Sequence, residues 1–124
     1  MVLCDTNMII DAINGVDDAM NFILSFEPNA LFISVVTEWE VLQGARDKKE
    51  YKSYQKALKR YNIIELDEHI STQAGVLLKI YQLSQDMSIP DALIAATAIK
   101  SQIPLKTSNL KDFKFIKGLK FSGS

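Results

Sequence analysis

The sequence contains a single cysteine, Cys4, and a single histidine, His69. One cysteine cannot form an internal disulfide bond, so we expect a protein of the reducing cytoplasm. Two such residues are too few for the Cys/His cluster of a zinc site. No Ser–His or Cys–His arrangement of a nucleophilic enzyme is evident, and glycine-rich phosphate-binding motifs are absent.

Long apolar runs are also absent. No run approaches the roughly 18 residues of a membrane span, and no basic segment precedes the apolar N-terminal residues, so we expect neither an anchor nor a signal peptide. The 124 residues are 48% hydrophobic and include only five glycines and three prolines. This composition predicts one folded domain, residues 1–124, with a real core.

Basic residues are missing from the first 45 positions, which contain seven acids. Seven lysines and arginines then lie between Arg46 and Arg60, and six lysines lie between Lys100 and Lys120. This distribution suits an acidic pocket flanked by a path for a polyanion, although lysine-rich helices are also common as plain solvated surface.

Short apolar runs alternate with helical patterns along the chain. This alternation predicts an α/β fold with a mostly parallel sheet. The helix at 91–99 is apolar nearly all round, which is typical of a buried helix. Strands are predicted at 1–4, 30–36, 62–66 and 103–107, with a candidate edge strand at 119–121, and helices at 7–14, 17–26, 37–44, 46–61, 68–85 and 91–99.

Acidic or amide residues recur where a predicted strand ends or a helix begins. They are Asp5, Glu40, Asp91 and the pair Asn109 and Asp112. In a parallel sheet these junctions fall on one edge, where ligands bind. We therefore expect these side chains to share one site.

Two of these acids have a plainer explanation. Thr37 with Glu40, and Ser88 with Asp91, have the spacing of a capping box, in which the acid satisfies the start of its own helix. A charge at the mouth of a buried helix is costly without a partner, which favours a site role for Asp91. For Glu40 both explanations stay open.

Several anions in one pocket repel one another, by about 4 kcal/mol per pair at 4 Å and an effective dielectric of 20. Partial protonation or a bound cation relieves this repulsion. Because the available ligands are oxygen atoms, the expected cation is Mg²⁺ or Mn²⁺. The chemistry that remains is attack of metal-activated water on a phosphodiester.

Four segments, in order along the chain, carry a resemblance to a known family. Residues 3–11 contain the sequence Asp5-Thr6-Asn7, and residues 33–44 place Glu40 at an acidic position. Residues 90–98 include Asp91, and residues 104–113 complete the set. Together they resemble the four motifs of the PIN-domain ribonucleases of the VapC toxin type.

The resemblance implies a three-layer α/β/α sandwich and a metal-dependent endoribonuclease that uses Mg²⁺ or Mn²⁺ on RNA. It also implies a homodimer and a cognate antitoxin. Asp5, Glu40 and Asp91 correspond to metal ligands. Asn109 and Asp112 both fit the fourth motif, and we favour Asp112 as the charged member, with Asn109 orienting water or the metal. Polar supporting positions are matched by Thr6, Asn7 and Thr107.

Two other classes of protein were weighed. A PIN-like module that binds RNA or protein without cutting would have no need of an intact acidic set, since clustered anions without a metal are destabilising. A phosphoacceptor receiver domain needs paired acids after its first strand and an acceptor Asp after a middle strand. Asp5-Thr6-Asn7 lacks the pair, and Asp67 is a poor acceptor position.

Overall fold

The computed structural model describes residues 1–123, and a four-stranded parallel sheet lies at its centre. The strands are β1 (Val2–Cys4), β2 (Leu31–Ser34), β3 (Asn62–Ile64) and β4 (Leu105–Lys106), in the order β3-β2-β1-β4. All three pairings are parallel, which confirms the predicted α/β class. The candidate strand at 119–121 is reduced to one parallel bridge between Phe121 and Leu105.

Six α-helices surround the sheet, with short 3₁₀ turns at Pro28–Ala30 and Leu110–Asp112. Among residues 1–123, no helix is both long enough and apolar enough to span a membrane. The helices are α1 (Thr6–Ile13), α2 (Asp17–Leu24), α3 (Val35–Gln43), α4 (Lys48–Leu58), α5 (Glu68–Gln85) and α6 (Ile89–Ser101).

Strand β1 shows how the sheet separates two hydrophobic cores. Its alternate residues Val2 and Cys4 pack in one core with residues of α1 to α4. The intervening Leu3 packs in the other core with α5, α6 and the C-terminal segment. Because successive side chains of a strand point to opposite faces, helices cover both sides of the sheet. The α/β/α sandwich is confirmed.

The start of α3 differs from the prediction. Ser34, not Thr37, is the N-cap, and its hydroxyl accepts a 3.1 Å hydrogen bond from the backbone N–H of Val36. The predicted Thr37–Glu40 capping box is therefore wrong. Val35 and Val36 suggested two more strand residues, but both are buried in the first helical turn, where packing outweighs their β propensity.

Candidate active site

Asp5 lies at the junction of β1 and α1 and is only 2% exposed. Its Oδ1 accepts a 2.9 Å hydrogen bond from the backbone N–H of Met8, which caps the helix. Its Oδ2 accepts a 2.5 Å hydrogen bond from the hydroxyl of Thr107, just beyond β4. Asp5 is thus held from two neighbouring strand ends.

The segment after β4 continues this hydrogen-bonded chain. The Thr107 hydroxyl oxygen accepts a 2.9 Å hydrogen bond from the backbone N–H of Asn109. The side-chain amide of Asn109 donates at 2.6 Å to Oδ2 of Asp112. Asn109 and Asp112 therefore act as a pair in this structure, with the amide orienting the carboxylate.

Glu40 lies on α3 and faces α1. Its Oε1 accepts a 2.6 Å hydrogen bond from the hydroxyl of Thr6. The same hydroxyl oxygen lies 3.0 Å from Oγ1 of Thr37. Because Thr6 gives its one proton to Glu40, Thr37 must be the donor in the second bond. Thr37 is fully buried and thus supports Glu40 through Thr6.

These elements enclose a cleft of about 260 Å³ that brings three of the predicted acids together. Asp91 enters it from the first turn of α6, where the Ser88 hydroxyl caps the helix and accepts a 3.2 Å bond from the Asp91 N–H. The lining residues are Asp5, Thr6, Asn7, Ile10, Glu40, Gln43, Asp91 and Ile94. Asn109 and Asp112 lie outside this lining set.

Sequence reasoning missed two residues of the site. The local pattern places Thr37 at a helix cap, and no motif of the sequence singles out Gln43. Both lie three positions from Glu40, and residues at that spacing share one face of a helix. This three-residue spacing is visible in the sequence, but it indicates a site role only when Glu40 is known to face the cleft.

The cleft is electrostatically unfavourable to its own carboxylates. Burial, followed by the negative charge of Asp112, raises the pKa of Asp91 from 3.8 to about 6. Burial also raises the pKa of Asp5, although the hydrogen bonds from Thr107 and Met8 act in the opposite direction. Asp112 contributes to both shifts, so it belongs to the same electrostatic cluster as the residues of the cleft.

The donor set fits a hard cation. The acidic groups of the cleft offer carboxylate oxygens, which Mg²⁺ and Mn²⁺ prefer. Within residues 1–123, no three acidic side chains already converge as a ready-made ligand set. A Mg²⁺ ion does not require one, because it usually retains several waters and takes only one or two carboxylates.

A larger cavity, of about 420 Å³, lies at the opposite end of α6. Ala98, Ile99 and Gln102 contribute to it, and Lys120 is the charged residue of its lining. In the part of the chain that the structure describes, the lining of this cavity contains no acidic residue, whereas the lining of the cleft combines three acids with polar side chains. The acidic cleft is therefore the stronger candidate for catalysis, despite its smaller size.

Comparison with known proteins agrees with this geometry. The PIN domain model matches residues 2–118. Ribonuclease VapC10 of Mycobacterium tuberculosis is 30% identical over 122 residues, which covers 97% of this chain and 91% of that protein.

Solved structures show the same fold. A toxin–antitoxin complex from Klebsiella pneumoniae contains a chain 33% identical, with a TM-score of 0.82 and coverage of 96% of this chain and 95% of that one. VapBC2 from Rickettsia felis, bound to a DNA fragment from their promoter, gives 27% identity, a TM-score of 0.81 and 98% coverage of both chains. The family match and the VapC10 identity each extend over most of the sequence, and the chain therefore belongs to the PIN domain family as a VapC-type member.

Proposed function

We propose that this protein is a Mg²⁺- or Mn²⁺-dependent endoribonuclease and the toxin of a toxin–antitoxin pair. The observation that carries the proposal is the meeting of Asp5, Glu40 and Asp91 in one cleft of a VapC-type chain. The raised pKa values of Asp5 and Asp91 support the proposal, because a nearby positive charge would favour the ionised form of each carboxyl group. RNA is the proposed substrate because the similar VapC10 is named a ribonuclease.

In this mechanism Asp5, Glu40 and Asp91 would hold the cation, directly or through the waters that it retains, and Asp112 would add a further negative charge to the same cluster. When bound, the cation would lower the pKa of a water molecule for attack on the phosphodiester and would offset charge on the leaving oxygen. Thr107 and Thr6 fix the rotamers of Asp5 and Glu40 through their hydroxyl protons. Asn109 fixes Asp112 in the same way.

The direct test is cleavage of RNA by protein freed of any partner, with Mg²⁺, with Mn²⁺ and with EDTA. Asp5→Asn removes the charge but keeps a good helix cap, since Asn caps as well as Asp. Asp18→Asn, an exposed acid of α2, is the matched control. Metal-dependent cleavage by the wild type and the control, lost in Asp5→Asn, would support the proposal. Cleavage in EDTA, or full activity of Asp5→Asn, would overturn it.

The competing module that binds without cutting makes the opposite prediction about metal. It would show no heat of Mg²⁺ or Mn²⁺ binding by calorimetry and no cleavage of any RNA. The nuclease proposal requires binding that Asp5→Asn weakens.

A cognate antitoxin is the proposed protein partner, because the Klebsiella and Rickettsia structures are toxin–antitoxin assemblies. We also propose a homodimer and a cytoplasmic site of action. Helix α5 offers a surface for the dimer, since Val76, Ile80 and Leu83 form an exposed apolar stripe on one face.

A further inference from the structure

A second, smaller cavity opens beside the acidic cleft and shares two of its walls. It measures about 120 Å³, and Ile10 and Glu40 line both spaces. Its remaining surface is apolar at Ile13 and Val41 and polar at Asn14 and Tyr54. A substrate whose reacting group lies among the carboxylates would therefore place its neighbouring group here.

A third cavity continues the path away from the acids. It is about 390 Å³ and shares Ile13, Asn14 and Tyr54 with the second. Lys49 and Ser53 of α4 contribute to its far side. The three cavities thus form one groove, which begins at the carboxylates and ends where lysines emerge from α4. The exposed lysines of that helix are Lys48, Lys49, Lys52 and Lys56.

Tyr54, at the middle of this groove, lies beside the ion pair of Arg46 and Glu50. The Glu50 carboxylate accepts hydrogen bonds from Arg46, at 2.9 Å from Nη2 and 3.1 Å from the backbone N–H. Hydrogen bonding to Arg46 lowers the pKa of Glu50 to about 2. Desolvation, followed by the interaction with Glu50, raises the pKa of Tyr54 above its ordinary value of 10.0.

We propose that the small cavity is a base-recognition pocket, in which an unpaired RNA base next to the cleaved phosphate stacks on Tyr54 and meets Asn14 with its polar edge. The inference rests on the proposed ribonuclease function. A cavity of about 120 Å³ is several times the roughly 10–15 Å³ that one water requires, so it has room for one planar ring. Single-stranded RNA is read by such stacking together with hydrogen bonds to base edges.

Charge argues for RNA over a peptide as the occupant. Asp47 and Glu50 also line the third cavity, but the Glu50 carboxylate is already paired with Arg46 at 2.9 Å. The strand leaving the pocket would pass Lys49, and the four exposed lysines of α4 outnumber the one acid of that helix, which favours a phosphate backbone. The apolar floor of Ile13 and Val41 accepts the face of a base without requiring a particular sequence around it. Asn14, which would meet the polar edge of the base, would therefore select the base at one position, while α4 would hold the strand without selection.

The test maps cut positions in a long mixed-sequence RNA transcript digested with Mg²⁺ by the wild type, Tyr54→Ala, Tyr54→Phe and Asn14→Ala. Tyr51→Ala is the control, since Tyr51 is 42% exposed on the same helix and lies outside the pocket lining. We expect Asn14→Ala to reduce the preference for one base beside the cut by about 5- to 100-fold, because the amide that reads the base edge is lost. Tyr54→Ala should reduce it as well, since a base without its stacking partner is no longer held against Asn14, and Tyr54→Phe should retain it. A ratio between bases does not depend on the folded fraction of each variant.

A binding measurement keeps the inference testable if the proposed nuclease fails to cut. Fluorescence anisotropy with short RNA oligomers of a single base type, on Asp5→Asn with and without Tyr54→Ala, should show the same loss of discrimination. The proposed base recognition would be wrong if Tyr54→Ala kept the base preference. It would also be wrong if Tyr51→Ala lost the preference to the same extent. If Tyr54→Ala keeps the base preference but captures less of the co-expressed antitoxin, the groove binds a protein partner and the proposal is wrong.

Discussion

The hydroxyl of Thr107 donates a 2.5 Å hydrogen bond to the Asp5 carboxylate, 102 residues earlier in the chain. The bond joins the ends of the neighbouring strands β1 and β4. It leaves Asp5 with one oxygen committed to the start of α1 and the other to the segment after β4. The orientation of the central acid is thus determined by parts of the chain that only the fold brings together.

Replacing Thr107 by Val should therefore impair catalysis without removing an acid. The change leaves a buried carboxylate oxygen without its donor, which should cost about 1–3 kcal/mol of stability. We expect cleavage to fall about 10- to 100-fold, as is usual when a ligand loses its supporting hydrogen bond. Thr107→Ser, which keeps the hydroxyl, should retain most activity. Rates of RNA cleavage and thermal unfolding of both variants check this, and a Val variant as fast as the wild type would contradict it.

Asp91 should destabilise the metal-free protein at neutral pH. Its pKa is raised from 3.8 to about 6, so the folded state binds the proton more readily than the unfolded state. The associated stability is present below about pH 4 and is lost as the pH rises through about 6. Asp91→Asn should thus raise the Tm at pH 7.5 in EDTA and weaken the gain in Tm that the wild type shows between pH 7.5 and 5. Solvent screening of this half-buried group limits the size of the gain.

The same substitution should abolish cleavage, because it removes a proposed metal ligand. A variant that is more stable and inactive would indicate that the acid is retained for chemistry at the expense of folding stability. An Asp91→Asn protein with an unchanged Tm and unchanged pH dependence would show that Asp91 is already well neutralised in the metal-free state.

Addition of Mg²⁺ or Mn²⁺ should stabilise the wild type, since a ligand that binds only the folded state raises its stability. The expected gain is about 2.7 kcal/mol at 100 times the Kd. Asp5→Asn should show a smaller increase in Tm at the same metal concentration, whereas Asp18→Asn should match the wild type. Equal shifts in all three proteins would place the cation elsewhere on the surface.

The sequence predicted the elements of the fold more fully than the contacts of the site. Helix 68–85 was predicted with the bounds that α5 has, because Asp67 caps it and its apolar spacing is regular. The bond of Thr6 to Glu40 joins residues 34 positions apart, and no local pattern specifies it. Thr37 was misassigned for the same reason, since a hydroxyl three residues before an acid has the local appearance of a cap.

Glu40 and Glu38 form a matched pair for testing that reassignment. Both lie on α3, but only Glu40 lines the cleft and accepts the Thr6 hydroxyl. Glu40→Gln should abolish metal-dependent cleavage with little loss of Tm, because the amide oxygen still accepts from Thr6. Glu38→Gln should cleave at the wild-type rate. Equal activities of the two variants, measured on one RNA, would remove Glu40 from the proposed ligand set.

The proposed homodimer can be tested on α5 without touching the cleft. Val76, Ile80 and Leu83 are 43%, 57% and 100% exposed, and their spacing places them on one face of the helix. In a dimer with twofold symmetry this face would pack on its own copy, so one added charge would be buried twice. Ile80→Lys should therefore convert a dimer to a monomer in size-exclusion chromatography with light scattering. Gln82→Lys adds the same charge at an exposed position of α5 that lies off the stripe, and it should leave the dimer intact. A dimer that survives Ile80→Lys would have its interface on another surface.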